Sequence, residues 1–186
     1  MSATGLPLLA LAASFQTLLL IYIMSLRGHG ALEASGVRRP AAADLGVAIA
    51  AAAALLAVSS AMGWTISRLP QPVQRALEPR IAPAAAGTPA ALALLSLVTG
   101  YREELFYRCY LVTRLAALGL PGSAAVAVAA LVFGFGHLYQ GPAAVALAVA
   151  QAVAFGILLR RGQSLHALAL AHALYNFAVL VSRQGG

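Results

Sequence analysis

The chain has no lysine, one cysteine and one asparagine, and only 9% of its 186 residues are charged. Soluble domains carry about 25% charged residues. Together with 61% hydrophobic residues and a mean hydropathy of +0.86, the shortage of charge excludes an ordinary soluble domain and describes an integral membrane protein. The single cysteine, Cys109, excludes an intrachain disulfide and a cysteine-based metal cluster. All 12 basic residues are arginine, a compositional bias from which no function is read. A net charge of +7 and a pI near 10.5 would suit a nucleic-acid binder, but the arginines stand singly or in pairs between apolar runs, with no aromatic platform interleaved. They suit interfacial loops facing anionic lipid headgroups, and no nucleic-acid partner is implied. The first apolar run lacks the basic region that would precede it in a cleaved signal peptide.

What the chain does have is long apolar segments. Gly5 to Leu26 and Leu45 to Ser67 each hold the roughly 20 helical residues needed to cross a hydrocarbon core. Between them, Arg27 to Asp44 reads as a polar connection. Arg68 to Gly87, with Pro70, Pro72, Pro79 and Pro83, reads as a loop with room for a short interfacial helix. Thr88 before Pro89 is a helix start, an N-cap followed by a first-turn proline, and the pattern stays helical to about Leu118. Ser123 to Tyr139, Pro142 to Leu159 and Leu165 to Val181 complete an expected all-α, polytopic membrane helix bundle of about six transmembrane helices around an intramembrane polar cavity. The expected organisation is a single integral membrane domain over 1–186, with a motif-bearing core over 88–181. Arginines divide six against four between the two sides if the N-terminus lies outside, with Arg27, Arg38, Arg39, Arg114, Arg160 and Arg161 inside.

Few strongly polar groups remain at membrane depth: Arg102, Glu103, Glu104 and Arg108 on the third segment, His137 on the fourth, and His166, His172 and Asn176 on the sixth. Gln16 and Gln151 are milder. A charge at mid-bilayer costs roughly 2.5 to 3.5 kcal/mol on insertion scales, so such groups face a protein interior or a wet cavity and mark a functional site. Glu104 and Arg108 are four apart, as are Phe133 and His137, and His172 and Asn176. At helical spacing each pair shares a face, and three such faces can surround one polar chamber. A carboxylate there can serve as general base toward water, a histidine can share or return the proton, and an asparagine amide with a second histidine N–H can hold an oxyanion. No serine, threonine or cysteine stands with an evident base, which favours direct attack by water over a covalent intermediate.

Glu103-Glu104-Leu-Phe-Tyr-Arg108, Phe133-Gly-Phe-Gly-His137 and His172-Ala-Leu-Tyr-Asn176 resemble, in order, the EExxxR, FxxxH and HxxxN motifs of the CPBP family of intramembrane proteases, which includes the type II CAAX prenyl endopeptidase. The resemblance covers roughly residues 88 to 180. It implies that Glu103 and His137 activate the attacking water, that His172 and Asn176 form the oxyanion site, and that Glu104 and Arg108 support the first glutamate. It implies a membrane-associated peptide or protein substrate within the lipid bilayer and an integral membrane location, taken as a bacterial inner membrane. Members commonly carry glycine after the motif arginine, where this chain has Cys109. No cofactor is implied and the reading adopted is metal-free, although two histidines and a glutamate would also satisfy a catalytic zinc. Two other classes fit parts of the pattern. A catalytically silent scaffold or immunity-type protein could keep the same fold. A small transporter could use the acidic and histidine residues to bind an ion, but only one acidic cluster is present and no broken-helix pair repeats between two halves.

Overall fold

The computed structural model describes residues 5–26, 30–78 and 88–182, and nothing but helices, turns and connections is found among them. Helix α1 (Gly5–Ser25) is followed by the single turn α2 (Ala31–Ala34), the long α3 (Ala42–Ile66) and the short α4 (Gln71–Leu77). Then come α5 (Pro89–Glu104), a π-helical segment (Leu105–Leu111) and α6 (Val112–Ala117), which run on without a break, and after them α7 (Gly122–Phe135), α8 (Pro142–Arg160) and α9 (Leu165–Ser182). Each of the six apolar segments is therefore helical, and the chain is an all-helical bundle of the membrane type. Among the described residues, four helices, α1, α3, α8 and α9, are long and apolar enough to cross a membrane. The short interfacial helix expected between the second and third segments is α4. Arg27, Arg80 and Arg183, on which part of the inside-outside charge count rests, lie outside the described residues.

Helix α9 is the axis of the bundle. It packs on α5 and on α3, while α7 pairs with α8 and α1 leans on α5. Small residues permit the closest approach, as expected where lipid removes the hydrophobic drive between helices. A Cβ at Gly100 of α5 would come within 2.7 Å of the Ala169 carbonyl on α9, and one at Gly134 of α7 within 2.3 Å of a Val149 methyl on α8. The buried face of α9 carries Ala167, Leu168, Ala169, Ala171, His172 and Ala173. Exposed apolar side chains such as Leu8, Leu11, Phe15 and Leu18 on α1 form the outside of the bundle, where a membrane supplies the matching solvent.

Helix starts follow local chemistry. Thr88 accepts a hydrogen bond from the Ala91 N–H at 3.3 Å, with Pro89 at the first helical position. Ser164 caps α9 by accepting from the Ala167 N–H at 3.1 Å. Two features depart from the sequence reading. The third segment is continuous but changes to π-helical pitch immediately after Glu104. At the far end of that stretch the Thr113 hydroxyl donates to the carbonyls of Cys109 and Tyr110, competing with the regular ladder. The fourth segment is also shorter than expected: α7 ends at Phe135, so His137 sits in a turn ahead of a 3₁₀ turn (Leu138–Gln140) and not on the helix. Glycines at 134 and 136 weaken the helix there, and the imidazole takes the carbonyl of Phe133 that continued helix would have used.

Candidate active site

The π-helical pitch begins one residue after the glutamate pair, and such segments are frequent at functional sites. Glu104 is wholly buried. Its Oε2 lies 3.0 Å from Nε of Arg108, an ionic contact without hydrogen-bond alignment, and its Oε1 accepts from Nδ1 of His172 at 2.7 Å. Arg108 is itself 2% exposed, and its guanidinium is stacked 4.4 Å from the centre of the Phe133 ring. Phe133 thereby becomes the hub of the site: the His137 ring lies 4.5 Å from it, Tyr107 4.9 Å and His172 6.1 Å.

Glu103 points the other way, into a cavity of about 800 Å³, a size that suits small-molecule and peptide sites. One of its oxygens is 2.6 Å from Arg102, and the other is 3.7 Å from Nε2 of His172. The same cavity is lined by His137, His172, Asn176 and Gln151. The structure thus brings Glu103, His137, His172 and Asn176 to one chamber, and puts Glu104 and Arg108 behind its wall.

The hydrogen-bond partners fix which ring nitrogens carry hydrogens. A backbone carbonyl only accepts, so His137 donates Nδ1–H to Phe133 O at 2.8 Å and its Nε2 presents a lone pair. An ionised carboxylate also only accepts, so His172 donates Nδ1–H to Glu104. His172 therefore has an Nε2–H to offer only as the imidazolium. Among the described residues, neither His137 Nε2 nor the Asn176 amide has a hydrogen-bond partner, so both are available to a bound molecule. No three His, Cys, Asp or Glu side chains among the described residues gather as a metal site would require.

Cys109, next to the motif arginine, is 1% exposed, packed with Leu20, Met24, Leu105 and Leu165 and absent from the chamber lining. His166, also singled out by its type, is held elsewhere. Its Nε2 lies 2.8 Å from the Arg38 carbonyl and its Nδ1 3.0 Å from the Tyr101 hydroxyl. Two participants do more than their spacing or type suggests: Phe133, four residues from His137, also carries the Arg108 guanidinium, and Gln151 lines the chamber.

Comparison with family models matches residues 85–178 to the type II CAAX prenyl endopeptidase Rce1-like family, half of the chain and all three motifs. The chain belongs to this family. Residues before 85, including α1, α3 and α4, lie outside the match. No curated protein and no solved structure matches the chain. Rce1-like proteins form a family of endopeptidases, and the buried charge network described above occupies the stretch that the family match covers.

Proposed function

We propose that this Rce1-like protein is an intramembrane endopeptidase that hydrolyses a peptide bond of a membrane-associated substrate with a directly attacking water. The observation that carries the reading is the split of the glutamate pair: Glu104 is buried and bound to Arg108 and His172, while Glu103 is left open to the chamber it shares with His137 and Asn176.

In this reading Glu103, or His137 through its free Nε2, takes a proton from water as the oxygen adds to the scissile carbonyl carbon. The carbonyl oxygen becomes an oxyanion held by the Asn176 amide N–H and by His172 Nε2–H. The intermediate collapses with cleavage of the C–N bond, and the proton held by Glu103 or His137 passes to the departing amine. Glu104 fixes the His172 ring through Nδ1 and balances its charge, and Arg108 holds Glu104 in turn. Phe133 keeps Arg108 and His137 in register. The motif-bearing core over 88–181 acts as the catalytic part of a single membrane domain, in a bacterial inner membrane.

The direct test is wild type against Glu103→Ala, His137→Ala and Asn176→Ala in reconstituted membranes, on a peptide library, with and without chelator. Loss of cleavage in all three variants is expected. Equal cleavage by the folded variants overturns the mechanism, loss on chelation indicates a metal enzyme, and a folded wild type that cleaves nothing indicates a silent scaffold.

A further inference from the structure

Helix α8 supplies one wall of the chamber through Ala144, Leu147, Ala148 and Gln151. Three of these are apolar, and Gln151 is the exception. Its side chain is 96% buried, with 4% exposed, and its amide has no hydrogen-bond partner among the described residues, Nε2 being wholly enclosed. Glutamine is seldom buried this far, and leaving a buried amide unpaired costs roughly 1 to 3 kcal/mol. A leucine would fill the same space without that penalty, so nothing in the packing of the chain accounts for a glutamine here.

We infer that Gln151 is a substrate-binding residue whose amide pairs with a backbone peptide group of the substrate. A primary amide presents an acceptor and donors in one plane, the complement of a peptide unit with its one C=O and one N–H. A carboxylate or phosphate ligand would use the donors alone and leave the acceptor unpaired. The surrounding alanines and leucine carry no charge and hydrogen-bond to nothing, so the wall selects for a neutral main chain with apolar side chains. Glu103, His137, His172 and Asn176 line the same chamber. A peptide anchored on α8 by Gln151 therefore presents its next amide bonds to those groups. Gln151 contributes affinity and register, and no proton transfer is assigned to it. The inference rests on the endopeptidase reading for its substrate.

Backbone ester substitution separates this from a structural role. Peptides cleaved by the wild type are made with one flanking amide at a time replaced by an ester, which removes the N–H and weakens the carbonyl, the scissile bond being left intact. For one position next to the cleavage point, the wild type should lose about tenfold in kcat/KM, the equilibrium factor of a single hydrogen bond. Gln151→Leu should lose about tenfold on the all-amide peptide, be indifferent to the ester at that position, and melt no lower than wild type. Cleavage of the all-amide peptide by Gln151→Leu at the wild-type rate, or equal ester sensitivity in both proteins, overturns the inference. Binding of labelled peptides from the library, read by fluorescence anisotropy on Glu103→Gln protein with and without Gln151→Leu, separates the two readings. Binding that depends on Gln151 in a protein whose wild type cleaves nothing retains the inference and removes the protease. Cleavage without dependence on Gln151 does the reverse, and absence of both binding and cleavage removes both.

Discussion

The first turn of α9 and its middle each hold a polar cluster with a buried carboxylate, and the two are finished differently. At the N-terminal end Asp44 has both oxygens occupied, by the Ser164 hydroxyl at 2.6 Å and the Ala41 N–H at 2.8 Å. Ser164 also caps the helix, and both ring nitrogens of His166 have partners. At the middle of the helix, beside His172, Glu104 is equally enclosed, but among the described residues Nε2 of Gln151 is buried without a partner, the Asn176 amide and Nε2 of His137 have none on the chamber side, and Glu103 faces that chamber. The first cluster resembles the satisfied polar joints that fix helix ends. The second keeps the enclosed Gln151 amide nitrogen unpaired, which costs stability until something binds, beside groups left open to the chamber. Burial of charge alone would not have separated the two; the unpaired groups do.

Substitutions can break or sharpen this contrast. Arg108→Met should have the largest effect on stability, about 3 to 5 kcal/mol, because it strands the buried Glu104 carboxylate; a fall in the melting midpoint of the reconstituted protein reports it. Asn176→Ala should leave the midpoint nearly unchanged and lower kcat about 10² to 10³-fold, the usual loss for one oxyanion donor. Gly100→Ala should cost about 1 to 3 kcal/mol, since the added methyl meets the Ala169 carbonyl and α5 must move from α9, carrying the glutamate pair away from His172. Ser164→Ala should cost about 0.5 to 2 kcal/mol through the lost cap and leave kcat unaltered. A large loss of kcat in Ser164→Ala would place the N-terminal cluster in the reaction and erase the contrast between the two clusters.

The helical bundle was legible from hydropathy because each apolar run is bounded by proline, glycine or arginine. The gathering of Glu103, His137, His172 and Asn176 was legible from spacing of four and from the three motifs in order. Three features were not. The π segment has no local signature, since nothing in its residues, Leu105–Leu111, sets it apart from a regular helical run. The end of α7 before His137 depends on a side chain bonding to the Phe133 carbonyl, a choice that periodicity does not register. The weight of Gln151 is invisible in sequence because its meaning lies in what it fails to touch. Which glutamate faces the chamber could be named only through the family resemblance, whereas the structure gives the physical distinction between a 0% exposed Glu104 and a Glu103 side chain 15% exposed.

The division between the glutamates is the centre of the account, and one comparison tests it most directly: peptide cleavage in reconstituted membranes by Glu103→Gln and Asp44→Asn, each at matched folded fraction. Glu103→Gln should lose roughly 10² to 10⁴-fold in kcat, the range of a missing general base, while Asp44→Asn loses stability and keeps its rate. Cleavage by folded Glu103→Gln at the wild-type rate would contradict it.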